Sequence, residues 1–221
     1  MIAILDPGVG NLSSVKSGFA RVSAETVVID SADAWYKLVE TDARQVSGVV
    51  LPGVGAFGDA MFQLRASGLI GVIRQIARER RPLFGICLGM QLLFGASYEH
   101  GRHLGLGLLP GEVVRFKDGV KVPHMGWNSL DTLNKNHPLT AGVDLGEYVY
   151  FVHSYYVAAE APADVLAAAT YGLVQVPAMV GRDTVMGAQF HPEKSGRVGE
   201  QILRNFVELC DRWQMGEEVA L

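Results

Sequence analysis

The sequence predicts an α/β fold: an open, mostly parallel sheet flanked by helices, with an antiparallel extension in the second half. Three observations predict it. Short apolar runs alternate with segments of helical period through residue 94. Glycine turns close several of those runs, as at 52–58 and 85–89. From residue 108 onward the runs are short, strand-like and broken by Gly and Pro, so antiparallel pairing is expected there.

The elements follow in order. "IAILD" (2–6) reads as a buried strand, and "PGVGN" (7–11) breaks it. Asn11 is placed to cap the helix of residues 12–22. "TVVID" (26–30) is a second strand and "DAWYKLVE" (33–40) a helix. "GVVLPG" (48–53) is a third strand ending in a glycine turn. "GLIGVIRQIARER" (68–80) has apolar residues at helical spacing, and "PLFGI" (82–86) is a fourth strand. Strands alternating with helices imply a parallel sheet covered on both faces. In the second half, 147–157, 164–171 and 184–190 read as strands and 196–213 as a closing helix. Residues 1–215 are expected to form a single domain, with 216–221 a frayed tail.

Composition excludes several classes. Of 221 residues, 49% are hydrophobic, enough for a sizeable core. A net charge of −4 argues against a nucleic-acid surface, which needs a basic face. No apolar run reaches the length of a membrane span, and "MIAILDPGVG" lacks the basic and long apolar regions of a signal peptide. Two cysteines make no disulfide framework, so a reducing, cytoplasmic setting is expected.

One of those cysteines stands at a telling place. In "FGICLGMQ" (84–91), Cys87 lies between two glycines where the fourth strand meets a helix. Such a corner pushes its central residue out of the sheet on a tight, strained turn, as in serine elbows. Gly85 and Gly89 remove side chains that would clash. A cysteine there sits at a helix N-terminus, which favours a thiolate. The Leu88 N–H points toward the same spot and can stabilise an oxyanion. The plain alternative is a small buried hydrophobe. Cys210 fits that description, since it shares helical spacing with Ile202, Leu203, Phe206, Leu209 and Trp213.

A cysteine nucleophile needs a base, usually histidine, and the histidine needs an orienting acceptor. His100, His103 and His137 read as solvated loop residues, and His124 in "VPHMGW" as structural or interfacial. His153 and His191 each end a strand, and residue chemistry alone does not choose between them. His191 has Glu193 two positions on, with Pro192 holding the intervening backbone extended. The glycine turn 52–58 lacks the lysine of a phosphate loop, so its better role is a second oxyanion donor.

Together these residues resemble the class I, triad-type glutamine amidotransferases. That family carries an elbow G-x-C-x-G-x-Q, here Gly85, Cys87, Gly89 and Gln91, and a downstream H-P-E, here His191, Pro192 and Glu193. The resemblance implies a flavodoxin-like fold and needs neither cofactor nor metal. It makes Cys87 the nucleophile, His191 the base and then acid, and Glu193 the orienter. Val54 and Leu88 become oxyanion donors, the former after a flip of the 52–55 turn. Gly53, Gly55, Gln91, His153, Ser154 and Tyr155 become the pocket for L-glutamine.

Further stretches resemble the branch that supplies ammonia in histidine biosynthesis: 51–61, 104–116, "VPHMGWN" (122–128), 150–156 and 189–196. That branch pairs as a heterodimer with a (β/α)₈ cyclase subunit, and Asn11, Trp127, Tyr150 and Lys194 become candidates for the interface. Core packing is the other reading of Trp127. Two departures stand out: Pro7 where an aromatic residue is usual, and Gly58 where proline is usual, the latter implying a looser loop. A cysteine peptidase or γ-glutamyl hydrolase would share the elbow and histidine but has no reason for "VPHMGWN". A non-catalytic subunit has no reason for an intact triad.

Overall fold

The computed structural model describes residues 1–6, 8, 11–40, 45–117 and 119–217. The first half runs β1 (Ile2–Leu5), α1 (Leu12–Arg21), β2 (Thr26–Ile29), α2 (Ala32–Val39), β3 (Gly48–Gly53), α3 (Phe57–Ala66), α4 (Leu69–Arg78), β4 (Leu83–Cys87) and α5 (Leu88–Leu92). The second half is strand-rich: β5 (Ala96–Ser97), β6 (His103–Leu104), β7 (Gly111–Arg115), β8 (His124–Ser129), β9 (Thr132–Leu133), β10 (Tyr148–His153), β11 (Tyr155–Ala159), β12 (Val165–Tyr171), β13 (Val174–Arg182) and β14 (Val185–Ala188). It closes with α6 (Gly196–Gln214).

The main sheet has the order β2-β1-β3-β4-β14-β13-β12-β9. Its first five strands are parallel and its last three antiparallel. Successive side chains of a strand point to opposite faces, and the core divides accordingly. Ile2, Ile4, Val50, Phe84 and Ile86 pack with Phe19 of α1 and Phe206 of α6. Ala3, Leu5, Val49, Leu51 and Leu83 pack with Trp35 of α2, Leu64 of α3 and Val72 of α4. Two small sheets, β10-β8 and β11-β7-β5-β6, stand beside the main one.

Several expectations need correction. The run 147–157 is not one strand. It breaks at Ser154 into β10, which pairs with β8, and β11, which pairs with β7. Helix α3 starts at the end of the glycine turn 52–58 and runs on through residues with no expected element, although Phe57, Ala60, Met61 and Leu64 have helical spacing and are buried. Strand β13 carries Pro177, which weakens a strand signal. Gly58 lies in the first turn of α3 rather than in a loose loop, and a Cβ there would meet the His103 ring at 2.8 Å. Pro7 lies outside the described residues. Of the expected tail, Gly216 and Glu217 fold back on α6, with the Glu217 N–H donating to the Arg212 carbonyl; 218–221 lie outside the described residues.

The topology brings three chain segments to one edge. Gly53 pairs with Cys87, and Ala188 with Ile86, so β3, β4 and β14 end side by side. Sites in open α/β sheets lie beyond such carboxyl ends.

Candidate active site

The elbow is as tight as its glycines suggest. Cys87 takes φ 55°, ψ −112°, a region closed to most residues with a side chain. A Cβ on Gly85 would lie 2.6 Å from the Met90 nitrogen, and one on Gly89 would lie 1.7 Å from the Leu51 carbonyl oxygen. The second clash is with strand β3 rather than within the turn, so the glycine lets α5 press directly on the sheet. Cys87 is the N-cap of α5 and Leu88 its first residue, whose N–H has no partner within the helix.

His191 emerges just past β14. Its Nδ1 lies 2.8 Å from Glu193 Oε1, and both side chains are buried. Carboxylates only accept, so Nδ1 carries a proton and Nε2 faces away from Glu193. No hydrogen-bond partner is present for Nε2 among the described residues. Pro192 does not hold the backbone extended. It opens a single 3₁₀ turn, closed by the Lys194 N–H on the His191 carbonyl, and that curl brings the carboxylate back to the ring. Burial alone would lower the imidazole's affinity for protons. The Cys87 sulfur and the Glu193 carboxylate, which both favour the charged imidazolium, outweigh it, raising the pKa to about 9.

His153 is in a different state. Its Nδ1 lies 2.8 Å from the Tyr155 carbonyl oxygen, and its Nε2 lies 2.9 Å from His124 Nδ1. The carbonyl only accepts, which puts the His153 proton on Nδ1 and makes His124 Nδ1 the donor to His153 Nε2. Burial pushes the pKa of His153 down to about 3 and that of His124 to about 4, so both are neutral. Its two nitrogens are already committed, whereas Nε2 of His191 is open. Geometry therefore separates two histidines that residue chemistry left tied.

Cys87 and His191 line one cavity of about 390 Å³ together with Val54, Gly55, Leu88, Gln91, His153, Ser154 and Tyr155. The break at Ser154 turns residues 153–155 into its wall. Gly53 is not in this lining. It borders a small neighbouring cleft with Asn11, His191, Glu193 and Lys194, and its lack of a side chain makes room for Leu88 and the Gly89 nitrogen at 3.2 Å. Gly55 takes φ +94° in open surroundings. Glu99 was missed by sequence reasoning, since it stands in a loop without a motif. It lines the cavity, and its Oε2 accepts from the Phe57 N–H at 2.7 Å, fixing the carboxylate on the N-terminus of α3.

Asn11 caps α1 by accepting from the Ser14 N–H. Trp127 is not core: it is 56% exposed and packs edge-on against Tyr150, with which it is paired across β8 and β10. Met125 and Tyr148 are also exposed on this ribbon. Lys194 is exposed beside Glu193. Cys210 is fully buried, and burial raises its thiol pKa well above the usual value. Among the described residues no helix is long and apolar enough to cross a membrane.

Comparison with known proteins bears on this arrangement. The chain is 50% identical to "Imidazole glycerol phosphate synthase subunit HisH" of Halobacterium salinarum, covering 95% of this chain and 93% of that protein. It is 46% identical to the protein of the same name from Halalkalibacterium halodurans, with coverage of 96% and 97%. A crystal structure described as a glutamine amidotransferase matches the fold with a TM-score of 0.71 at 20% identity, covering 95% of this chain and 98% of that one. A structure of PurLQS from Thermotoga maritima matches with a TM-score of 0.69 at 18% identity, covering 94% of this chain and 97% of that one. A family model for glutamine amidotransferase class-I matches residues 3–210, and the chain belongs to that family.

Proposed function

We propose that the chain is the glutaminase subunit of an imidazole glycerol phosphate synthase in histidine biosynthesis, working in the cytoplasm as one domain over residues 1–215. The observation that carries the chemistry is Cys87, strained at its elbow, sharing a cavity with an imidazole whose other nitrogen is held by Glu193. The relatives matched over nearly their whole length carry the pathway.

L-Glutamine enters with its side-chain amide at Cys87. The raised proton affinity of His191 draws the thiol proton to Nε2, the sulfur bonds the amide carbon, and N–H groups of Leu88 and Val54 hold the oxyanion. The imidazolium returns the proton to the departing nitrogen, releasing ammonia and leaving a glutamyl thioester. Water, deprotonated by His191, attacks the thioester; glutamate leaves and the thiol is restored. Gln91, His153, Ser154 and Tyr155 shape the pocket. Glu99, a carboxylate in its wall, supplies an anionic partner for the substrate's α-ammonium.

Ammonia then passes to a (β/α)₈ cyclase subunit that forms imidazole glycerol phosphate and aminoimidazole carboxamide ribotide. Asn11, Trp127, Tyr150 and Lys194 form the docking face in this reading, supported by the exposed Trp127 packed edge-on against half-buried Tyr150. The test is ammonia release from glutamine by the chain alone, with the cyclase, and with cyclase plus its nucleotide ligand. Stimulation by partner and ligand is expected, because Gly55 leaves the 54–55 peptide free to turn. Equal rates in all three arms would refute the gating. Absence of ammonia in every arm would refute the glutaminase assignment.

A further inference from the structure

Gln189 is fully buried directly behind the nucleophile, yet no step above uses it. Its side-chain Nε2 lies 3.8 Å from Cys87 Sγ, within reach of a hydrogen bond to sulfur. Which end of an amide faces a neighbour is settled by the network around it, and here the network settles it from a backbone carbonyl outward. The Tyr155 carbonyl only accepts, so the Gln91 atom 2.9 Å from it is nitrogen. That same nitrogen lies 2.9 Å from the Gln189 side chain, whose facing atom must then be oxygen. The remaining end of Gln189, the N–H₂, is therefore turned to the sulfur. The Val152 carbonyl lies 3.8 Å from the same sulfur and accepts the thiol hydrogen.

We propose that Gln189 is an electrostatic partner of the nucleophile: its N–H, aimed by Gln91 and Tyr155, stabilises Cys87 sulfur as it takes on negative charge. This rests on the reading of Cys87 as nucleophile. The thiol donates to Val152, an acceptor that gives a thiolate nothing and repels it. Gln189 meets the charged form instead, with a donor in a water-poor site where such a bond is strong. Gln91 thereby serves twice, facing the cavity and holding the amide that faces the sulfur. The titratable groups around Cys87 are His191 with Glu193 behind it, His153 with His124 behind it, and Tyr155 and Glu99 across the cavity. Gln189 does not itself titrate, so replacing it by Leu alters reactivity without adding a titrating group.

The experiment is alkylation of the intact chain by iodoacetamide from pH 6 to 10, with the label located by peptide mapping, in the wild type, Gln189→Leu and Gln189→Glu. Gln189→Leu removes the donor at similar volume. Gln189→Glu keeps the shape and the acceptor for Gln91 but turns an oxygen toward sulfur. The expected result is a fall of about tenfold in Cys87 labelling at pH 7 in Gln189→Leu. Gln189→Glu falls at least as far once its carboxyl ionises, since the carboxylate only accepts, and Gln189→Leu recovers the wild-type rate at pH 10. An unchanged rate at pH 7 in folded Gln189→Leu overturns the inference. An equal fall at every pH also overturns it, because that marks lost packing or access. Wild-type glutaminase activity with no label at Cys87 overturns the nucleophile reading itself, and this inference with it.

Discussion

Replacing Glu193 by Gln probes the pair on which the chemistry depends. In the native protein the carboxylate accepts from His191 Nδ1 at 2.8 Å, which leaves Nε2 bare in the neutral ring. A glutamine amide can turn its NH₂ toward Nδ1 instead, moving the ring proton to Nε2, where it cannot accept from the thiol. The same exchange in Ser-His-Asp triads costs about 10⁴-fold in turnover, and a loss of about 10³–10⁴ is expected here. Stability supplies a second readout. The imidazole pKa rises from 6.5 to about 9 in the folded chain. A raised folded pKa means stabilisation that is fully present below pH 6.5 and is lost as pH rises through 9. Its full size is about 3 kcal/mol, supplied by Cys87 and Glu193 against burial. Urea unfolding between pH 6 and 10 should therefore show wild-type stability falling with pH, and a shallower fall in Glu193→Gln. Turnover within tenfold of wild type, or identical slopes in the two proteins, would refute the reasoning.

Other outcomes are equally specific. Gly89→Ala places a Cβ 1.7 Å from the Leu51 carbonyl oxygen; a loss of about 3 kcal/mol is expected, seen as a fall in Tm of about 10 °C. Cys87→Ala should abolish ammonia release, while Cys210→Ala keeps turnover and loses about 1 kcal/mol in denaturant unfolding. His124→Phe keeps the ring stacked on Tyr171 and Phe151 but leaves His153 Nε2 buried and unpaired. It should cost about 1–3 kcal/mol and raise the glutamine KM more than it lowers kcat.

Periodicity made the parallel half readable, because its inner strands β1, β3 and β4 are buried on both faces and its longer helices each bury one face. Cys87 was readable because two glycines around a cysteine at a strand end mark a tight corner, which plain core packing does not require. The choice of His191 over His153 was not, since it depends on where a second nitrogen is bound: His153 Nε2 meets His124 from a strand 29 residues away in sequence. Glu99 and Gln189 were invisible for a related reason. Their roles come from atoms they face across the fold, not from spacing along the chain. The short strands β5, β6 and β9, two residues each, carry too little sequence for any period to show.

The ribbon β8–β10 joins these observations. Its alternation puts Trp127 and Tyr150 on the outer face and His124 and His153 on the inner one, each pair directly across from its partner. Tyr150 also holds the turn 191–195 through its backbone. Its carbonyl accepts from the His191 N–H at 3.0 Å, and its N–H donates to Ser195 Oγ, which donates to the His191 carbonyl. A displacement of the outer face therefore reaches His191 through the Tyr150 backbone and reaches the cavity wall through His124 and His153. It need cross no more than two hydrogen bonds on either route. A partner docked on Trp127 and Tyr150 would hold both the base and the substrate wall, which gives the proposed interface a physical reason to be on this ribbon.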